Sequence, residues 1–377
     1  MKKDRIRYLF IFVLFFVICK ADNLKVRTEF NFPNILDYKT LKCDFHMHTI
    51  FSDGAVWPPT RVKEAWRRGL DAISITEHVE YKPYKEDVPI HHNRSYELAK
   101  NKAQQRDIIL IQGAEITRSM PPGHLNALFV KDAEKLTVED PIKAIKAAAK
   151  QGSYIFYNHP GWKSQRPSGI PKWFSEHEQL YQKGWLKGVE IANYNEYYPK
   201  VMKWMHNKNL TILGNSDVHQ PVNEVWKFHK GEHRPMTFVF ARSRTKDAIR
   251  EALEKGRTAV YFENKIMGRK KYLLPLFKNS IEVITKNVDY NPNKNYNLQI
   301  HNSSDIDYKL KIKGKNQNVD APESINLAAK KTTLFPVSIQ NKVHREKRVI
   351  MRYEVQNMFT NYNEHLNYKL KFNIVSE

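Results

Sequence analysis

Short apolar runs alternate with helical patterns from residue 41 to residue 262, and this alternation restricts the fold more than any other feature of the sequence. Strands that are separated by helices are expected to pair in parallel. Roughly seven strand–helix units in about 225 residues fit a closed βα barrel better than an open sheet. We therefore predict an α/β barrel over residues 41–265, preceded by a lead-in at 22–40 and closed by a strand at 258–262.

The pattern changes at about residue 270. Apolar residues now stand in short alternating runs, such as Tyr368, Leu370 and Phe372, and turns rich in Asn, Lys and Asp separate these runs. No helical pattern stands out in this part of the chain. The spacing predicts a β-sandwich of immunoglobulin-like size over residues 270–377.

The N-terminus has the pattern of an export signal. A basic start is followed by an apolar run from Tyr8 to Ile18, and small residues stand at Cys19 and Ala21. This run is short for a membrane span, and the pattern is typical of a secretory signal peptide. We predict that residues 1–21 are removed and that the protein is exported, to the periplasm or outside the cell. A lipid anchor on Cys19 is the alternative.

The first predicted strand of the barrel, at 41–45, runs into a histidine pair. Side chains alternate along a strand, so His46 and His48 point the same way. Two imidazoles at this spacing can share one metal ion. Asp53 follows after a short loop, and Gly54 lets the chain turn sharply beside it.

More histidines and carboxylates stand at, or beside, the ends of the other predicted strands. In a βα barrel these loops converge on one face, which is where barrel active sites lie. The side chains offer nitrogen and oxygen but no thiolate, which favours Zn²⁺, Mn²⁺ or Fe²⁺. They exceed one tetrahedral site and suffice for two or three metal ions. The candidate ligands are His46, His48, Asp53, His78, Glu115, His124, His159, Asp217 and His219.

Six short motifs carry these ligands. They are His46-x-His48-x4-Asp53-Gly54, Thr76-Glu77-His78, Gly113-Ala114-Glu115, Gly123-His124, Asn158-His159-Pro160 and Ser216-Asp217-x-His219. As a set they resemble the motifs of the polymerase-and-histidinol-phosphatase (PHP) superfamily of metal-dependent phosphoesterases. The resemblance covers roughly residues 41–262 and implies a distorted (βα)₇ barrel with a trinuclear metal centre.

The resemblance also implies how the ligands divide among three metals. The first metal would be held by His46, His48, Glu115 and Asp217. The second would be held by Asp53, His78 and His219. The third would be held by His124, His159 and Glu115, with Glu115 as a bridge. The family often has Thr-Asp-His where this chain has Thr76-Glu77-His78, so we do not count Glu77 as a ligand.

A cluster of divalent ions predicts hydrolysis of a phosphate ester by a metal-bridging hydroxide, without a serine or cysteine nucleophile. We expect Glu115, Asp217 and His219 to be catalytic. Arg118 lies between two ligands in sequence and is a candidate clamp for a phosphate oxygen. Asn158 and Asn193 are further substrate-binding candidates. A finer resemblance to secreted phosphodiesterase-like members with a β-sandwich favours a small phosphodiester over a monoester.

Two alternatives remain from the sequence. The net charge of +22 favours an anionic ligand, so the same centre could belong to a nuclease. Aromatic residues in predicted loops could stack the bases of such a substrate. These residues are Trp57, Tyr81, Tyr84, Trp162, Trp173 and Trp226. A non-catalytic secreted binding module is the second alternative, but the complete ligand set argues against it.

Overall fold

The computed structural model describes residues 27–88, 91–289, 294–314, 319–339 and 348–375. An α/β barrel is followed by an immunoglobulin-like β-sandwich, as predicted. The signal peptide predicted at 1–21, with Cys19, lies outside the described residues. Among the helices of the described part, none has both the length and the apolar composition that are needed to cross a membrane.

The strands of the barrel region are short and almost entirely buried. They are β1 (Lys39–Asp44), β2 (Ala72–Ile75), β3 (Ile109–Ile116), β4 (Leu125–Leu128), β5 (Tyr154–Tyr157), β6 (Leu186–Asn193), β7 (Glu196–Tyr197), β8 (Thr211–Asn215), β9 (Met236–Ala241), β10 (Thr258–Phe262) and β11 (Lys265–Gly268). The order around the barrel is β9-β1-β2-β3-β4-β5-β6-β8. β1 begins at Lys39, within the predicted lead-in at 22–40.

The expectation of parallel pairing holds for only part of this barrel. β1, β2 and β3 are parallel neighbours, and so are β5, β6 and β8. β4 is antiparallel to both β3 and β5. No helix lies between β3 and β4 in the described chain, so the chain returns as a hairpin and reverses its direction.

The strand predicted at 258–262 is confirmed as β10, but it is not the strand that pairs with β1. β9 closes the barrel instead, antiparallel to β1, and β10 pairs with the other edge of β9. Side chains complete the seam between β8 and β9. The Thr237 hydroxyl donates to the Gly214 carbonyl and accepts from the Gly214 N–H, both at 2.9 Å. Thr258 of β10 donates to the Ile212 carbonyl at 2.8 Å.

Helices surround this barrel. They are α1 (Pro58–Arg67), α2 (Arg94–Gln105), α3 (Pro141–Lys150), α4 (Ser175–Gln182), α5 (Met202–Asn207), α6 (Val222–Val225) and α7 (Lys246–Glu254). Short 3₁₀ turns lie at Ala133–Leu136, Pro199–Val201 and Phe228–Lys230. α3 begins as the sequence indicates. The Asp140 carboxylate caps the Lys143 N–H at 2.8 Å, and Pro141 occupies the first turn.

The sandwich packs two sheets face to face. One sheet has the order β12 (Ile281–Val283), β14 (Asn295–Asn302), β18 (Thr332–Ile339), β16 (Val319–Asp320). The other contains β17 (Ser324–Leu327), β15 (Tyr308–Ile312), β19 (Arg348–Asn361), β20 (Glu364–Val375) and β13 (Asn287–Asp289). Buried and exposed residues alternate along β14 and β19, as expected for strands with one face toward a core.

A helix that the sequence pattern did not predict joins the two parts. Residues 270–377 were predicted to be all β, but Lys270–Ser280 forms α8. Its buried face reaches both sides: Tyr272 packs against Phe240 of the barrel, and Phe277 packs against Tyr308 and Tyr368 of the sandwich.

The two parts also share a sheet. β11 of the barrel region pairs in parallel with the C-terminal part of β19, with Ile266 opposite Met358 and Met267 opposite Phe359. One hydrophobic cluster contains residues from both parts. We therefore expect the barrel and the sandwich to depend on each other for stability.

Phe277→Ala tests this dependence. Removing the ring should lower the free energy of unfolding by about 3–5 kcal/mol. All seven tryptophans lie between residues 57 and 226, so tryptophan fluorescence reports on the barrel alone. The denaturation midpoint seen by fluorescence should fall together with that seen by circular dichroism. Leu334→Ala, at a 58% exposed position in the sandwich, is the control and should change little. An unchanged fluorescence midpoint in Phe277→Ala would mean that the barrel is stable independently.

Candidate metal centre

The predicted ligands meet at one end of the barrel. His46 and His48 follow β1, His78 follows β2, and Glu115 lies near the end of β3. β4 runs in the opposite direction, so His124, which precedes it, reaches the same end. His159 follows β5, and Asp217 and His219 follow β8. The prediction that the strand ends converge is confirmed for these residues.

Glu115 is at the centre of this group, and its carboxylate is completely buried. Its Oε1 lies 3.0 Å from His124 Nδ1, and its Oε2 lies 2.6 Å from His78 Nδ1. Oε1 is 3.5 Å from His46 Nε2, and Oε2 is 3.5 Å from His48 Nε2. One carboxylate thus contacts ligands from three different strands, as expected for a residue that bridges metal ions.

Asp217 joins the first histidine pair. Its Oδ1 lies 3.2 Å from His46 Nε2 and 3.1 Å from His48 Nε2. These three groups are close enough to coordinate one ion. His159 is farther away, with its Nε2 3.6 Å from Glu115 Oε1 and 3.9 Å from Asp217 Oδ2.

Asp53 organises a second group. Its Oδ1 is 3.1 Å from His219 Nε2 and 3.4 Å from His78 Nε2. His48 belongs to this group as well as to the first one. A third group consists of His78, Glu115 and His124. Eight of the nine predicted ligands therefore fall into three overlapping groups, and His159 stands beside them rather than within one.

The buried polar atoms of the centre fit metal ions. Five of these atoms have no hydrogen-bond partner. They are His46 Nε2, His48 Nε2, Asp53 Oδ1, Glu115 Oε2 and Asp217 Oδ1. A buried polar atom without a partner is costly, and all five atoms belong to predicted ligands. Imidazole nitrogens and carboxylate oxygens suit Zn²⁺, Mn²⁺ or Fe²⁺.

The carboxylates of the centre are held in the ionised form that a cation requires. Burial by itself would raise the pKa of Glu115, but His78, His46 and His124 hold it well below its ordinary value. Burial also opposes ionisation of Asp53 and Asp217, and neighbouring histidines again lower both pKa values. Against the effect of burial, the same carboxylates raise the pKa values of His78 and His219, so imidazolium charge balances them in the positions where cations would bind.

Outer contacts orient the histidines. His46 Nδ1 lies 2.9 Å from Glu190 Oε1, so its Nε2 is the nitrogen that faces Asp217. The Glu190 carboxylate also accepts from the His159 N–H at 2.7 Å and from Asn193 Nδ2 at 2.8 Å. Such a carboxylate fixes the ring and raises its basicity as a ligand. Sequence reasoning did not assign Glu190 a role, although a carboxylate within the apolar run of β6 was a usable signal.

The predicted substrate-binding residues have other partners. Asn158 Nδ2 donates to Glu115 Oε1 at 2.8 Å, so this buried amide supports a ligand. Asn193 binds Glu190 and also lines the cavity above the centre. Arg118 does not line that cavity. Its Nη2 lies 2.8 Å from Glu80 Oε1, because the hairpin between β3 and β4 turns the side chain toward Glu80.

Glu77 was excluded as a ligand, and its contacts explain what it does instead. Its Oε2 accepts from the Thr49 N–H at 3.1 Å and from the Ser52 hydroxyl at 2.5 Å. It thus holds the loop that carries Asp53. A Cβ on Gly54 would lie 2.6 Å from the carbonyl carbon of His48, so close backbone approach explains this glycine.

Two ligands have unusual backbone conformations. His159 and Asp217 have φ angles of 25° and 50°, in the left-handed region that few residues adopt. Such conformations cost on the order of 1–3 kcal/mol each and tend to occur at functional sites. The cost supports the assignment of both residues to the centre.

Arg61 of α1 connects two of the ligand loops, and sequence reasoning missed it. The side chain is completely buried. Its Nε donates to the His48 carbonyl at 2.8 Å, and its Nη1 donates to the Gln220 carbonyl at 2.8 Å. Nη2 donates to the carbonyls of Val218 and His219. A single guanidinium thus holds the loop after β1 against the loop after β8.

A cavity of about 720 Å³ opens above the metal ligands. Its floor is formed by members of the centre, including Asp53, Asp217 and His219. Its walls include three exposed aromatic rings, those of Tyr81, Trp162 and Tyr194. Of the other aromatics considered for base stacking, Trp226 is 5% exposed and Trp173 packs against the barrel. Trp57 and Tyr84 are exposed but do not line this cavity.

Comparison with known proteins agrees with this geometry. The PHP domain family model matches residues 44–224, and an Ig-like domain model matches residues 281–371. A solved structure from Bacteroides vulgatus ATCC 8482 is 42% identical, with a TM-score of 0.87. The match covers 92% of this chain and 99% of that one, which is described as a two-domain protein containing a predicted PHP-like metal-dependent phosphoesterase.

A curated relative is also similar over a shorter stretch. It is an uncharacterised protein of Methanocaldococcus jannaschii, 36% identical over 101 residues. The match includes 26% of this chain and spans less than half, 43%, of the archaeal protein.

Glu115→Gln should reduce metal binding severely, because the neutral amide removes a charge that lies within 3.5 Å of four candidate ligands, His46, His48, His78 and His124. We expect at least one equivalent of metal to be lost after dialysis, measured by elemental analysis against protein concentration. Glu80→Gln removes a neighbouring carboxylate that pairs with Arg118 and should keep the wild-type metal content. Wild-type content in Glu115→Gln would exclude the bridging role.

Arg61→Lys should weaken metal binding although Arg61 touches no ion. A single ammonium cannot reproduce a planar fork that reaches both loops. We expect a loss of about 10- to 100-fold in metal affinity, the range for outer contacts of a metal site. A competition titration with a chelator measures it. Arg68→Lys is the matched control, since Arg68 makes one side-chain hydrogen bond, to Asn223. Equal affinity in wild type and Arg61→Lys would contradict the positioning role.

Proposed function

The chain belongs to the PHP domain family, and from this premise we propose that it hydrolyses a small phosphate ester at a centre of two to three divalent metal ions. The observation that carries the proposal is the group of five buried ligand atoms that lack hydrogen-bond partners and belong to one ligand set. Membership of a family with metal-dependent phosphoesterases, together with the 42% identical two-domain relative, supports the reaction class.

The proposed chemistry assigns a task to each part of the site. Bound divalent ions supply hydroxide at neutral pH and neutralise phosphoryl charge. Glu115, Asp53 and Asp217 provide the negative charge that holds these ions. Asp217 and His219 also face the cavity, where they can orient the phosphoryl group and take up a proton. Glu190 orients the His46 ring, and Arg61 holds the loop that carries His48.

The substrate that we propose is a small phosphodiester, with a phosphomonoester as the second candidate. The concave cavity supports a small molecule rather than a long strand. The complete ligand set supports catalysis rather than a binding module without activity. Zn, Mn and Fe all remain candidates for the metal. Export, with residues 1–21 removed, remains part of the proposal and would make the substrate an extracytoplasmic compound.

Metal removal tests the reaction. Protein purified without chelator should contain two to three equivalents of Zn, Mn or Fe, and prolonged chelation should abolish its hydrolysis of bis(p-nitrophenyl) phosphate. Adding back Zn²⁺ or Mn²⁺ should restore the activity. p-Nitrophenyl phosphate and a single-stranded oligonucleotide are assayed in parallel. The first tests for phosphomonoesterase activity and the second for nuclease activity. Full activity with less than one equivalent of metal would refute the polynuclear centre.

A further inference from the structure

We propose that the substrate carries a planar aromatic ring that stacks on Trp162, and that it has no negative charge besides its phosphate. This inference rests on the proposed phosphoesterase function and specifies the substrate of the same site. Two features of the cavity carry it: the exposed aromatic rings and the absence of lysine and arginine from its described lining.

Trp162 is placed to contact a group attached to the phosphate. Its ring centroid lies 5.2 Å from that of His159 and 5.5 Å from that of His124, two of the candidate ligands. The residue is 37% exposed, so a large part of the indole is open to the cavity. A local turn fixes it, because the Trp162 N–H donates to the His159 carbonyl at 2.9 Å. A ligand held at the metals would therefore have an aromatic surface beside it.

Tyr194 and Tyr81 extend this surface. Tyr194 is 40% exposed, and its φ of 50° is in the left-handed region, which is rare for an aromatic residue. Its N–H donates to the Asn215 carbonyl at 3.2 Å, and its ring packs on Trp226. The left-handed backbone is thus held by contacts on both sides while the ring lines the cavity. Tyr81 is 53% exposed and packs edge-on against His78.

The charge of the cavity contrasts with that of the protein. The chain has a net charge of +22, yet the described residues that line the cavity include no lysine or arginine. Its ionisable carboxylates are Asp53, Asp217 and Glu196. The phosphate of a substrate would be neutralised by the metals alone. A second anionic group in the cavity would meet Glu196 without a cation to pair with, which disfavours substrates with several phosphates or a carboxylate.

These features argue against a nucleic acid strand. Proteins that bind a strand follow its backbone with a basic groove as well as with stacking rings. Here the rings are present without a lysine or arginine in the described lining of the cavity. We infer that a single compact ring group enters it, and a volume of about 720 Å³ is ample for one.

Phosphonates, which are not hydrolysed, test the aromatic part. Binding of methylphosphonate, phenylphosphonate and cyclohexylphosphonate to the Zn²⁺-loaded full chain is measured by calorimetry. Phenylphosphonate should bind more tightly than cyclohexylphosphonate, which has similar size but no π face. In Trp162→Leu the affinity for phenylphosphonate should fall by about 5- to 150-fold, the range for losing a stacked base. The affinity for methylphosphonate should not change, and Trp162→Phe should recover most of the loss.

Trp57→Leu is the matched control, because Trp57 is 57% exposed and lies outside the cavity. It should bind all three phosphonates as wild type does. Equal affinity of wild type for the phenyl and cyclohexyl compounds, with no effect of Trp162→Leu, overturns the stacking inference. If methylphosphonate binds in that case, the proposed phosphoesterase function survives. If none of the phosphonates binds to the metal-loaded protein, the proposed function and the inference both fail.

A charged analogue tests the electrostatic part. 4-Carboxyphenylphosphonate should bind at least about 5-fold more weakly than phenylphosphonate, because its carboxylate meets Glu196. Glu196→Gln should narrow that difference and leave the affinity for phenylphosphonate unchanged. Equal binding of the two aromatic compounds to wild type overturns the charge restriction.

Discussion

The architecture depends on keeping several like-charged and unpartnered groups together in a buried space. Three carboxylates and a set of imidazoles form overlapping groups whose ligand atoms lie within 4.8 Å of one another, and five of these atoms lack a hydrogen-bond partner. In a flexible loop, repulsion between the carboxylates would separate these side chains. Here each ligand is fixed at a strand end of a closed barrel, and Glu190, Glu77 and Arg61 hold the ligand loops from behind. The barrel keeps the ligand atoms together, and bound cations would give these atoms the partners that they lack.

The sequence predicted well which side chains meet at one end of the barrel, because each candidate ligand sits in a short local motif at the end of a strand. The same reasoning predicted the βα character but not the reversed direction of β4. It also missed β9, although its run is as apolar and as buried as those of the strands that were predicted. α8 was missed because Pro275 lies inside it and because the run beyond it is all β. In each case the deciding contacts come from distant parts of the chain.

Individual roles were less predictable than membership of the site. Arg118 is close to two ligands in sequence, but its guanidinium pairs with Glu80. Asn158 was expected to bind substrate, and in the structure its amide donates to Glu115. Sequence distance alone does not determine the direction in which either side chain points. The immunoglobulin-like part was recognised from its alternating runs, but its shared sheet with the barrel, through β11 and β19, could not be seen in either pattern alone.

The bonds of Arg61 have a consequence for how this protein can diverge. On the two ligand loops its guanidinium binds only main-chain carbonyls, those of residues 48, 218, 219 and 220. Every amino acid carries that carbonyl, so the hydrogen bonds of Arg61 do not depend on which side chains stand at positions 218 and 220. Other contacts restrict those positions, because Val218 is buried in the core and Gln220 lines the cavity. Covariation between residue pairs would therefore not reveal this connection, and an invariant arginine far from the metal ligands in sequence would be its only trace among relatives.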